Sequence, residues 1–152
     1  MSYNQRILLA GCLFALISGL CGLDVQDCGS KAGKFSKINI VGCDTSQSAC
    51  ILHRGTNATI SIEFVSSGSA TAVNTVIHGI INGIPVPFPL KNPDACSNTG
   101  INCPLKPDTT YEYQAILPVQ KVYPKISLKV KWELQNQDGV DIICLLIPAK
   151  IA

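Results

Sequence analysis

Charge is scarce in this chain. Asp, Glu, Lys and Arg make up 14% of its 152 residues, against about a quarter in ordinary globular domains. The cations stand singly. With Arg6 set aside in the leader described below, the remaining Lys and Arg exceed the ten acids by one. That balance excludes a nucleic-acid protein, whose affinity comes from clustered cations facing phosphates. No basic helix suits a membrane surface either. Histidine is rarer still, with only His53 and His78. Without a C-x-x-C pair beside them, a zinc site lacks its ligands. G-x-S-x-G, Gly-rich phosphate loops and H-E-x-x-H are all missing, and the acids fall mostly in turns. His78, inside the apolar stretch VIHGII, reads as a structural histidine. Nothing assembles a positioned acid, base or nucleophile, so the expectation is a protein that is not an enzyme, with no catalytic residue, metal or cofactor.

Long apolar runs are also lacking. The best, Ile7–Leu20 (ILLAGCLFALISGL), falls short of the roughly 20 residues a membrane helix needs. A basic residue, a short apolar stretch and then small residues make a secretory signal peptide. Residues 1–22 are assigned to it, with cleavage near Cys21–Gly22, and residues 23–152 to one domain. The mature protein is then expected outside the cell or in the lysosomal lumen.

Cysteine, in contrast, is plentiful. Of eight, Cys12 and Cys21 leave with the signal. Cys28, Cys43, Cys50, Cys96, Cys103 and Cys144 remain, an even number that implies disulfides in an exported domain. Sequence alone does not choose among the possible pairings. The stretches DTSQSA, between Cys43 and Cys50, and SNTGIN, between Cys96 and Cys103, are polar and turn-forming. Both suit short stapled loops, which leaves Cys28 with Cys144. On the chain-entropy account the long bridge contributes about 4 to 5 kcal/mol and each short one about 2.5.

Between the cysteines the chain alternates. Thr59–Val65 puts Ile60, Ile62 and Phe64 on one face. Lys125–Leu134 puts Ile126, Leu128, Val130, Trp132 and Leu134 on one face and Lys125, Ser127, Lys129, Lys131 and Glu133 on the other. A period of two marks a half-buried antiparallel strand. Further strands are expected at Lys34–Val41, Ala70–Ile81, Tyr111–Leu117 and Asp141–Ile151, with turns at Ser66–Ser69, Asn82–Gly83, Asn98–Gly100 and Asp138–Gly139. No amphipathic helix is found. Six or seven strands at this length indicate an all-β sandwich.

Two proline-rich segments stand out. In Ile84–Leu90 (IPVPFPL) three alternating prolines remove three backbone donors, so the segment is extended and confined to a sheet edge. There it either guards the edge or holds Val86 and Phe88 rigidly at a cavity mouth. Leu117-Pro118-Val119 and Tyr123-Pro124 again place prolines, which break ladders, beside apolar residues. Asn57-Ala58-Thr59 is an N-x-[ST] sequon at a strand start, suited to glycosylation.

These segments carry a resemblance. The matching stretches are Asp27-Cys28-Gly29-Ser30, His78-Gly79-Ile80, Val86-Pro87-Phe88-Pro89, Gly100-Ile101-Asn102-Cys103-Pro104, Leu117-Pro118-Val119, Tyr123-Pro124, Trp132, and Cys144 through Ile147-Pro148. The chain resembles the Niemann–Pick type C2 proteins, sterol carriers of the ML (lipid-recognition) domain family, over essentially its whole mature length. The resemblance implies a seven-stranded immunoglobulin-like antiparallel sandwich, disulfide-stapled, with an apolar cavity between the sheets. It implies the pairings Cys28–Cys144, Cys43–Cys50 and Cys96–Cys103. It places Phe88, Val119 and Tyr123 at the pocket mouth and Trp132 on the wall. Val86 and Pro118 join the mouth in this reading, and Ile60, Ile62, Phe64, Tyr113, Val130 and Leu145 the interior.

The implied activity is carriage of one sterol or long-chain fatty acid, or a similar apolar signal molecule, through aqueous fluid or to an acceptor such as a membrane receptor. The carrier is expected to be a monomer. The alternative is a secreted recognition module with a solid core. Two stretches depart from vertebrate members. Leu145 and Leu146 stand where an aromatic follows the last cysteine, a change expected to reshape the pocket wall toward a flexible chain. Asn82 stands where an apolar residue precedes the glycine of a receptor-facing loop, which weakens lysosomal sterol hand-over.

Overall fold

The computed structural model describes residues 22–152. The leader expected at residues 1–22, with Cys12 and Cys21, lies outside the described residues except for Gly22. Nine strands form: β1 (Gln26–Asp27), β2 (Gly33–Val41), β3 (Cys50–Leu52), β4 (Thr56–Ser66), β5 (Val73–Ile81), β6 (Ile84–Phe88), β7 (Thr110–Val119), β8 (Ser127–Asn136) and β9 (Asp141–Ile151). One sheet runs β1-β9-β8-β5-β6, with β3 added beside β9, and the other runs β2-β4-β7. The seven longer strands meet the expectation of an immunoglobulin-like sandwich. The alternation at Ile60–Phe64 and Val130–Leu134 exists because one face of each strand must be buried against the other sheet, and Ile62, Phe64, Trp132 and Leu134 are each at most 1% exposed.

Three features depart from the sequence reading. β3 pairs β9 in parallel, Cys50 opposite Ala149 through Leu52 opposite Ile151, in an otherwise antiparallel structure. β5 starts at Val73 rather than Ala70, which makes only an isolated bridge to Leu105. Pro118 does not interrupt its strand, because β7 continues through it and pairs with β4, Pro118 opposite Asn57. The reason is its place. β7 is an edge strand, and alternate residues of an edge strand direct their N–H away from the ladder. Gln114 sends its N–H outward to the Thr99 carbonyl, so Pro118, an even number of residues on, lacks only a donor that would face outward.

The disulfides are Cys28–Cys144, Cys43–Cys50 and Cys96–Cys103. The first pins the N-terminal segment to β9. The second joins the end of β2 in the narrow sheet to β3 in the wide one. The third closes a loop between β6 and β7. The β5–β6 hairpin turns on Asn82 (φ 50°) and Gly83 (φ 78°). Two successive positive φ values make the tight turn that favours Asn-Gly, which accounts for Asn82 in backbone terms.

The outer face of the wide sheet carries one charged cluster. Gln135 Nε2 donates to Glu133 Oε2 at 3.1 Å and to Asp141 Oδ1 at 3.3 Å, and Lys131 Nζ lies 3.4 Å from Glu133 Oε1. Burial together with the neighbouring Glu133 carboxylate pushes the Asp141 carboxyl up to about 6. Burial also opposes the charged form of Glu133, but the Asp141 hydrogen bond, the Lys131 ammonium and the Gln135 amide outweigh it and hold that carboxyl below its ordinary value. No helix among the described residues is long and apolar enough to cross a membrane.

Candidate functional site

The sandwich is closed at one end and hollow at the other. The closed half is that of the β8–β9 turn. Tyr113 packs its ring edge-on to Trp132, with centroids 6.3 Å apart, and shares a 2.8 Å hydrogen bond with Thr75 Oγ1. Burial pushes the Tyr113 phenol up to about 12, so it stays neutral. Phe64 stacks toward Tyr111 at 5.9 Å. This half is ordinary close packing.

Toward the other end the sheets stop meeting. A hollow of about 230 Å³ lies between β5, β6 and β8 of the wide sheet and β7 of the narrow one. Alternation directs Ile77, Gly79 and Ile81 of β5, Val86 and Phe88 of β6, and Leu128 and Val130 of β8 into it, against Leu117 and Val119 of β7. Among its lining residues only His78 and Tyr123 carry a polar side-chain atom. Gly79 belongs to this wall for a steric reason, since a Cβ there would come within 3.1 Å of Leu128 Cδ1. Behind it sits a smaller void of about 30 Å³, lined by Ile60, Trp132 and Ala58 among others. Leu52, Leu117 and Val130 line both, so these three side chains separate the two spaces.

The mouth opens between the edges of β6 and β7. The Phe88 and Tyr123 rings close over it edge to face, centroids 5.5 Å apart, with Val86 45% exposed beside them. Prolines shape this rim. Val86 and Phe88 face the hollow opposite Gly79 and Ile77, and Pro87 and Pro89 also border it. Tyr123 sits in the turn after β7, which Arg54 secures by donating from Nη1 to the carbonyls of Lys121 (3.3 Å) and Tyr123 (3.4 Å). Burial pushes the Tyr123 phenol up.

Of the pocket residues expected from sequence, Val86, Phe88, Pro118, Val119, Tyr123 and Val130 come together on the main hollow, and Ile60 and Trp132 on the small one. Ile62, Phe64, Tyr113 and Leu145 face inward but are fully buried in closed packing and line neither space. Leu145 therefore does not shape the hollow, and Leu146 alternates to the outer face opposite Gln26. Sequence reasoning missed Leu52, Ile77, Gly79 and Ile151. Ile77 and Gly79 stood on the inward face of a recognised strand, whereas Leu52 lies in a three-residue strand with no periodicity to read. His78 has a buried Nδ1 without a hydrogen-bond partner among the described residues, and no cluster of three potential metal ligands occurs among them.

Comparison with known proteins agrees with this architecture. The family model of the ML domain matches residues 22–151. The chain is 56% identical over 137 residues to the NPC intracellular cholesterol transporter 2 homolog a of Drosophila melanogaster, covering 90% of this chain and 93% of that one. It is 40% identical to NPC intracellular cholesterol transporter 2 of Mus musculus, covering 85% of each. The crystal structure of a Niemann–Pick type C2 protein from the Japanese carpenter ant superposes with a TM-score of 0.81 at 39% identity, covering 85% of this chain and 99% of that one. With the family model matching almost the whole described chain and relatives at 40–56% identity, this chain belongs to the ML domain family.

Proposed function

We propose that this protein is a non-enzymatic lipid carrier that holds one elongated apolar molecule, a sterol or a long-chain fatty acid, in the hollow between its sheets and moves it through aqueous fluid to an acceptor. The observation that carries this reading is the apolar hollow itself, with a mouth at Phe88, Val119 and Tyr123. A recognition domain gains nothing from an unfilled interior, because each unfilled volume forfeits packing energy.

The lining decides the ligand class. It offers apolar surface and almost no hydrogen-bonding group, so the cargo must be mostly hydrocarbon, with any polar end at the mouth. Burying roughly 400–600 Å² of hydrocarbon is worth on the order of 10–15 kcal/mol gross at about 25 cal/mol/Å². Association and ordering take several kcal/mol of this back, leaving micromolar to nanomolar affinity. The hollow of about 230 Å³ is smaller than the roughly 300–1,000 Å³ typical of ligand pockets. Loading therefore widens it, and Leu52, Leu117 and Val130 are the side chains whose displacement joins the two spaces. The leader expected at residues 1–22 supports a secretory or lysosomal lumen as the place where a carrier monomer meets its acceptor.

The test is to extract lipid from protein purified from its native fluid, identify it by mass spectrometry, and titrate delipidated protein with sterol and with fatty acid. A co-purifying sterol or fatty acid that rebinds at micromolar concentration or below is expected. Delipidated protein that takes up neither sinks the proposal.

A further inference from the structure

A second concavity lies outside the sandwich, on the face of the narrow sheet turned away from the lipid hollow. It measures about 750 Å³ and runs between the outer surface of β4–β7 and the loop carrying Leu90–Asn92 and Asn98–Gly100. Its wall mixes amide side chains, Asn92, Asn98 and Gln114, with apolar Pro118 and with Ile116, which is 58% exposed. Asn57, the sequon asparagine, is itself part of that wall.

The strand register explains why. Asn57 lies opposite Pro118 and Thr59 opposite Ile116, and Asn57 and Thr59 alternate outward while Ala58 and Ile60 are buried. The sequon's acceptor and its hydroxyl residue therefore share the outer face with the two apolar residues of the groove. An N-acetylglucosamine ring has a polar rim and an apolar face, and this surface offers amide partners around an exposed isoleucine and a proline. Among the described residues the edge of β7 beyond Gln114 is also unpaired, and bare edges are prone to pairing with other chains.

We propose that Asn57 carries an N-linked glycan whose first sugars lie in this groove, covering Ile116 and the free edge of β7. The bond formed joins the Asn57 side-chain nitrogen to C1 of the first sugar of a lipid-pyrophosphate-linked oligosaccharide. The pyrophosphate lipid leaves, and the amide proton is lost. The reaction takes place in the secretory lumen, which the leader expected at residues 1–22 would let the chain enter. Strand β7 lies between this groove and the lipid hollow: Leu117 and Val119 line the hollow, Ile116 lines the groove, and Pro118 at the edge borders both. The sugar therefore flanks the mouth without entering it.

The experiment uses full-length protein secreted from a eukaryotic cell line, alongside Thr59→Ala, Thr59→Ser and Ile116→Ser. Peptide mass spectrometry should find Asn57 modified in the parent, in Thr59→Ser and in Ile116→Ser, and unmodified in Thr59→Ala. Hydrogen exchange across residues 90–100 and 114–118 should be slower by about fivefold in the glycosylated parent than in Thr59→Ala. Ile116→Ser should lose most of that protection while keeping the sugar. An unmodified Asn57 in correctly secreted protein overturns the proposal, as does a glycan that leaves exchange in both segments unchanged. Lipid affinity should be equal with and without the sugar, so a negative result here is separable from failure of the carrier reading.

Discussion

Val130 is the position at which the carrier reading is most exposed to refutation. It lies on β8, is 8% exposed, and faces both the main hollow and the small void behind it. Unfilled apolar volume costs about 24 cal/mol per Å³, so a hollow of about 230 Å³ withholds on the order of 5 kcal/mol from the empty protein. Val130→Phe fills part of it. The added ring carbons, at about 0.8 kcal/mol per buried carbon less the cost of imperfect fit, should return roughly 1–2 kcal/mol. For a domain of this size about 1 kcal/mol moves Tm by roughly 4 °C, so delipidated Val130→Phe should melt about 4–8 °C higher. Lipid should stabilise the parent by about 2.7 kcal/mol at a hundredfold excess over Kd, or roughly 10 °C. In the variant that increment should fall by more than half, since side chain and lipid compete for one volume. Differential scanning calorimetry of delipidated and loaded protein reads both. Leu117→Phe, which enters the same spaces from the opposite sheet, guards against local strain at one site. If both variants keep the full lipid-induced shift, the cargo does not occupy this hollow and the reasoning fails.

Three further outcomes are expected. Phe88→Ala or Tyr123→Ala should weaken lipid affinity about tenfold by fluorescence titration, through lost apolar contact and a lost edge-to-face pair worth about 1 kcal/mol, with Tm nearly unchanged because both residues sit at the rim. Gly79→Val should lower lipid capacity by pressing on Leu128, measured as bound lipid per protein after loading, whereas Gly83→Ala at the hairpin tip should leave capacity intact. The Asp141 carboxyl, pushed up to about 6, stabilises the fold fully below the ordinary aspartate range and loses that contribution as pH rises through about 6. Screened at its partly exposed position, the loss is about 1 kcal/mol. Urea midpoints at about pH 5 and pH 7.5 should therefore differ in the parent and converge in Asp141→Asn.

How far the sequence could be read follows from what periodicity encodes. Alternation reports which face of a strand is inward, and the start of β9 at Asp141 was legible because the Asp138–Gly139 turn precedes it. Alternation does not report whether the inward side chains meet. Ile62 and Phe64 share their pattern with Ile60, yet only Ile60 borders a void. That distinction depends on the splay of two sheets, a property no single strand carries. The edge position of Ile84–Leu90 was readable through its prolines, because loss of backbone donors fixes a segment to an edge wherever it occurs; that this edge borders a hollow was implied only by the family resemblance. β3 was not readable. Three residues give no period, and its partner β9 lies about a hundred residues away in the chain.

The Cys43–Cys50 cystine has a mechanical consequence. It is a clasp between the two sheets along the flank where β2 and β3 lie. Among the described residues no cystine joins the sheets along the opposite flank, where β6 faces β7 across the Phe88–Tyr123 pair. If the sandwich opens, it should therefore open as a book does, and on the carrier reading proposed above cargo would enter sideways past the Phe88–Tyr123 pair while the clasped flank stays closed.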